Sequence, residues 1–167
     1  MISESEMKEA AWKPELYSNV RSQLRSLLAD ERDFMANAAN LSSLLYHSLP
    51  TLNWAGFYIY KDGELVLGPF QGQPACVRIA IGKGVCGTAA QRRQTIIVPN
   101  VHDFPGHIAC DSASNSEIVV PILKDDHLIG VLDLDSPSVG RFDEEDAQGL
   151  NELVEVFVES MNLDFSG

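Results

Sequence analysis

The sequence predicts an α+β domain, an antiparallel sheet covered by helices that come from both ends of the chain. Two observations carry this. Apolar residues recur at helical spacing near each terminus, and between them run short alternating or apolar segments separated by tight turn signals. Strands linked by hairpins pair antiparallel, and helices flanking such a run bury their apolar stripes on the sheet.

The elements follow in order. Pro14 suits a first helical turn, and Leu16, Val20, Leu24, Leu27 and Leu28 continue at helical spacing. Asp30 or Asp33 caps a second helix reaching about His47, with Phe34, Ala38, Leu41, Leu44 and Leu45 as its stripe. Pro50 ends that segment. Strands over 52–60 and 64–70 flank the turn Lys61-Asp62-Gly63. A third strand over 76–81 alternates, with Val77, Ile79 and Ile81 on one face and Cys76, Arg78 and Ala80 on the other. A glycine-rich turn leads to a short helix over 85–92 and a short strand over 95–98. Residues 100–116 hold no clear element, and a long irregular loop in a small domain is usually functional. Strands over 117–123 and 128–135 are joined around Asp125-Asp126, and a helix from about Asp143 to Met161 carries Leu150, Leu153, Val154, Phe157 and Val158 inward.

Totals bound the function. The 167 residues favour one domain, with 45% hydrophobic and 22% charged residues. No apolar run is long enough for a bilayer, and residues 1–9 have no signal-peptide pattern, so a cytoplasmic protein is expected. A formal net charge of −12 disfavours nucleic-acid and membrane partners.

Three cysteines in a reducing compartment do not make a disulfide framework. Cys86 opens a helix, where the dipole favours a thiolate. Cys110 sits late in the polar loop, where its sulfur is reachable, and Cys76 shares a strand face with Arg78. Together with His102 and His107 they offer potential zinc ligands, but the spacings of known zinc sites are missing, and no metal is expected. The stretch Gly82–Gly87 matches G-x-G-x-x-G between a strand and a helix. No acidic residue ends the next strand and no parallel succession follows, so it reads as a tight turn with a close helix–sheet contact.

The carboxylates are more informative. Ile129, Val131, Asp133 and Asp135 share one strand face, and acids extending an apolar row need a cation or hydrogen-bond donors. Glu117 starts the partner strand at the same end. A three-residue loop brings Glu117 opposite Asp133 on that face, whereas a two-residue loop sends it to the other, and the register stays open. A ligand ammonium would neutralise such a cluster, and mutual repulsion would raise at least one pKa. Trp54, Gly56 and Tyr58 share a face of their strand and read either as core or as a ligand wall, with Gly56 leaving space.

The segments 53–58, 67–72, 82–87, 106–111, 114–117 and 132–136, in this order, resemble the free methionine-(R)-sulfoxide reductases, a branch of the GAF domains. The resemblance spans roughly Phe34 to Val158. It implies a single GAF domain over 34–162, preceded by an extension and helix over 1–33 and followed by a tail over 163–167. It further implies a six-stranded antiparallel sheet, often in a homodimer. Cys110 would attack the sulfoxide sulfur while Glu117 or Asp135 supplies a proton, and Cys86 would close a disulfide on Cys110, with Cys76 as the auxiliary thiol and the alternative resolving partner. Thioredoxin, drawing on NADPH through its reductase, would reopen the disulfide, and no cofactor would be bound. Trp54 and Tyr58 would enclose the methylthio group. Glu117, Asp133 and Asp135 would hold the ammonium, and backbone N–H groups of Ser114, Asn115 and Ser116 the carboxylate. The preference for the R configuration comes from the resemblance alone. The competing expectation is a non-catalytic GAF sensor of a small molecule or of redox state.

Overall fold

The computed structural model describes residues 12–106 and 113–161. Pro14 opens helix α1 (Lys13–Leu28), and the side chain of Asp33 caps α2 (Phe34–Ser48) by accepting from the Ala36 N–H. Strands β1 (Trp54–Lys61) and β2 (Glu64–Gly72) form the expected hairpin. After them come β3 (Arg78–Ala80), α3 (Gly84–Arg92), β4 (Ile96–Val98) and a 3₁₀ turn at Val101–Asp103. The second hairpin, β5 (Ser116–Lys124) and β6 (His127–Ser136), leads to α4 (Glu144–Glu159). The six strands make one sheet of order β3-β2-β1-β6-β5-β4 with every pair antiparallel, so the α+β reading and its six strands hold.

Period-2 alternation sorts the central strands onto two cores. Ala55, Phe57, Ile118, Val120, Leu132 and Leu134 face α1, α2 and α4, where Leu41, Leu45, Leu150, Leu153 and Phe157 meet them. Trp54, Tyr58, Val119 and Val131 face the opposite way, toward Val85, Cys86 and Ala89 of α3. The thick helical layer thus supports the sheet from behind, and one short helix crosses its front.

Two expected stripes shift. In α1 the buried face is Tyr17, Val20, Leu24 and Leu28, while Leu27 is 47% exposed. Tyr17 turns the helix this way by donating to the fully buried Asp146 of α4 at 2.7 Å. The expected third strand narrows to Arg78–Ala80 at the sheet edge, with the Val77 carbonyl still accepting from the Leu67 N–H of β2 and the Val77 side chain exposed. The glycine turn behaves as expected: a Cβ on Gly87 would overlap the Ala80 carbonyl, so α3 lies directly on the strand end.

Candidate active site

The front core opens into a cleft enclosing about 540 Å³, open solvent at its mouth included. Its aromatic wall comes from β1. Trp54 stacks on Phe70 at 5.1 Å and lies 6.0 Å from Tyr58, and both rings are fixed by their polar ends. The Trp54 indole N–H donates to the Gln73 carbonyl, and the Tyr58 hydroxyl donates to that of Cys76. Gly56 leaves no space for a ligand, contrary to the expectation from sequence. A Cβ there would overlap Phe70, so the glycine seats Phe70 behind Trp54.

The acidic wall depends on an irregularity in the β5–β6 hairpin. The turn is the two-residue Asp125-Asp126, both at positive φ, and pairs Lys124 with His127. Such a turn alone would send Glu117 to the rear face. A register shift next to Ile122 inserts one extra residue in β6, so that Glu117 comes opposite Asp135 and Val119 opposite Asp133. Neither register weighed from the sequence is the one formed, yet the three acids converge on one face.

Their burial decides their chemistry. Cys86 is 4%, Asp133 5% and Glu117 6% exposed, and one ligand atom from each lies within 4.8 Å of the others. Glu117 is in hydrogen-bond contact with Asp133 and Asp135, and Asp133 with Cys86. Burial, then the charges of Asp133 and Asp135, push the Glu117 carboxyl well above its ordinary range. Burial also raises Asp133, but hydrogen bonds from Glu117 and Cys86 oppose the rise. Both carboxyls are thus held above the ordinary range, and the cluster keeps a proton at pH values where free carboxylic acids have lost theirs. Among the described residues lining the cleft, Lys83 is the one basic side chain, and it is exposed at the mouth. Sequence reasoning missed Lys83, Pro74, Ala75 and Ile79 as lining residues, because they come from the start of α3, the β2–β3 connection and β3, which meet at the cleft only in the folded chain.

The cysteines differ from expectation. Cys76 stands in a disulfide bond, Cys86 is a free thiol, and Cys110 lies outside the described residues, as does His107. The dipole of α3 does not make Cys86 a thiolate. Burial first, and then Asp133, Glu117 and Asp135, drive its pKa well above the ordinary value. A helix terminus contributes roughly 0.3–1 kcal/mol, whereas full burial can shift a group by about 3–5 pKa units. The disulfide thus uses the thiol ranked as auxiliary and leaves the one ranked as Cys110's partner reduced.

Of the three residues expected to hold a carboxylate, Ser114 alone lines the cleft among the described residues. Ser114 lines the cleft and accepts from Asn53 Nδ2 at 3.0 Å. Asn115 donates its backbone N–H to the Ser136 carbonyl, its side chain reaches His102 and Pro137, and Ser116 Oγ donates to the Ser138 carbonyl. Those two residues brace the β5–β6 end and do not line the cleft.

An acid cluster around a thiol, under an aromatic wall in a six-stranded sheet, defines a small-molecule-binding domain. The GAF domain model matches residues 15–161. The chain is 55% identical over 142 residues to free methionine-R-sulfoxide reductase of Escherichia coli, covering 85% of this chain and 86% of that one. It superposes on free methionine-R-sulfoxide reductase of Neisseria meningitidis in complex with its substrate, with a TM-score of 0.84 and 46% identity over 86% of this chain and 87% of that one. It also superposes on the substrate complex of fRMsr of Staphylococcus aureus, with a TM-score of 0.84 and 51% identity over 87% and 95% of the two chains. The chain belongs to the GAF domains, and within them to the free methionine-R-sulfoxide reductase family.

Proposed function

We propose that this chain reduces free methionine (R)-sulfoxide to methionine, using a cysteine pair that a thioredoxin-type dithiol restores. The cluster of Glu117, Asp133 and Asp135, the first two buried, facing the Trp54–Tyr58 wall carries the reading. A small ligand with an ammonium at one end and a methylthio group at the other matches both walls. The substrate complexes solved for the two relatives support the same ligand class.

Cys110 attacks the sulfoxide sulfur and forms an S–S bond. The oxygen leaves as water, taking one proton from the Cys110 thiol and one from Glu117. Water then adds to the Cys110 sulfur, the S–S bond breaks, methionine departs, and Cys110 is left as a sulfenic acid. A proton returns to Glu117 in that step. Cys76 condenses with the sulfenic acid, releasing water and closing a disulfide. We assign Cys76 to this role because it is the oxidised cysteine while Cys86 is free. Exchange with thioredoxin, recharged from NADPH, returns both thiols. No bound cofactor enters these steps.

The deciding assay is NADPH oxidation through thioredoxin reductase and thioredoxin, with each configuration of free methionine sulfoxide. Turnover with the R form alone is the expected result. No turnover with either form by folded, fully reduced protein would overturn the reading in favour of a ligand-binding GAF sensor.

A further inference from the structure

The mechanism above leaves one buried thiol unused, at the centre of the cluster. We propose that Cys86 is a positioning residue: its S–H donates to Asp133, holding Asp133 as the carboxylate that receives the ligand ammonium and leaving the cluster's proton on Glu117. This rests on the reading under Proposed function.

The geometry is specific. Cys86 projects from the first turn of α3 onto the sheet, and Gly87 beside it lets the helix approach that closely. Its sulfur lies within 4.8 Å of both the Glu117 and the Asp133 oxygens. Asp133 therefore has two donors, the Glu117 hydroxyl and the Cys86 thiol. A carboxylate that accepts two hydrogen bonds is the better anion, so the two acids separate into one charged and one protonated. One Asp133 oxygen, Oδ1, remains buried with no hydrogen-bond partner, an acceptor left for an incoming ammonium. The other titratable groups around Asp133 are Asp135 on β6 and Tyr58 on β1, with Lys83 at the mouth. The Tyr58 hydroxyl is committed to the Cys76 carbonyl, so the thiol that α3 sets against Asp133 is that of Cys86.

Removing the thiol destabilises the Asp133 anion in every state of the cluster, whether Glu117 is protonated or not. Protonation of Asp133 then occurs at higher pH, and the ammonium site is lost sooner on acidification. A hydrogen bond to a buried charge is worth about a tenfold change in equilibrium, equivalent to about one pH unit. Cys86→Ala should therefore raise the acid limb of kcat/KM, and of L-methionine binding measured by calorimetry, by about one unit. The alkaline limb should stay in place. Cys86→Ser, which keeps a donor, should bring the acid limb back most of the way.

Other roles give other outcomes. Unmoved limbs with equal loss of stability in both variants would reduce Cys86 to packing and overturn the proposal. A single methionine released per enzyme, followed by a stall in both variants, would make Cys86 the resolving thiol and overturn it too. Should Cys86→Ala not fold, the infrared S–H stretch of the oxidised wild-type protein decides. A band shifted down by hydrogen bonding, and released to higher frequency in Asp133→Asn, is expected, and an unshifted band overturns the proposal. Absence of wild-type turnover on free sulfoxide would instead count against the function, and methionine binding would still test Cys86.

Discussion

At the scale of single residues, Glu117, the acid of the proposed reaction, also carries an instability. Folded, it keeps a proton at pH values where the unfolded chain, titrating near 4.5, has released it. At this site the native state then binds more protons than the unfolded one, so Glu117's contribution to ligand-free stability is fully present below that pH and is lost as pH rises above it. Glu117→Gln removes this dependence. Its thermal midpoint at mildly alkaline pH should exceed that of the wild type and its slope against pH should flatten. Methionine release should meanwhile fall about 100-fold or more, because the departing oxygen loses its acid. A variant that is both less stable and fully active would refute the assignment. The cysteines separate as cleanly. Cys76→Ser should release about one methionine per enzyme and then stall with thioredoxin, leaving a sulfenic acid that dimedone labels. Continued turnover by that variant would remove Cys76 from the cycle.

At the scale of elements, α1 is fastened to the domain by charge as well as by its apolar face. Asp146 closes the capping box of α4, and its buried carboxylate accepts from Lys13 and Tyr17, both at 2.7 Å, and from Arg141. Breaking such a buried cluster from one side costs about 3–5 kcal/mol. Asp146→Asn should lose about 3 kcal/mol in urea unfolding, while KM for the sulfoxide stays unchanged, because α4 lies behind the sheet and the cleft in front. A changed KM would mean that the two faces communicate.

The same scale shows what a sequence can and cannot disclose. Period and turn chemistry located both hairpins and the helices at each end, because burial and capping act on residues near one another in the chain. The extra residue in β6 was invisible, since a register shift depends on how Ile122 and Gly130 meet across two strands. Gly56 misled for a similar reason: the atom it makes room for belongs to Phe70, on the neighbouring strand. Cys86 looked electropositive from its helix and is surrounded by acids that come from two other elements.

At the scale of the whole molecule, a chain of net charge −12 places part of its excess acid inside the cleft. Lys13 and Arg141, two of its basic side chains, are already engaged with Asp146 behind the sheet. Under the proposed function the substrate ammonium is received at Asp133, whose Oδ1 is buried without a hydrogen-bond partner among the described residues, and that requirement is a filter. Free methionine sulfoxide brings an ammonium, whereas a residue within a protein brings a neutral amide that leaves a buried charge unpaired. At about 3–5 kcal/mol for such a loss, discrimination should reach about 100-fold or more. Blocking each end of the substrate separates this filter from simple exclusion by size. N-acetyl-methionine sulfoxide should lose about 100-fold or more in kcat/KM. The carboxamide, which keeps the ammonium, should lose much less. Both ratios should change little with added salt, because the interaction is buried and poorly screened. Equal losses for the two derivatives would place selectivity in the dimensions of the cleft and not in its charge.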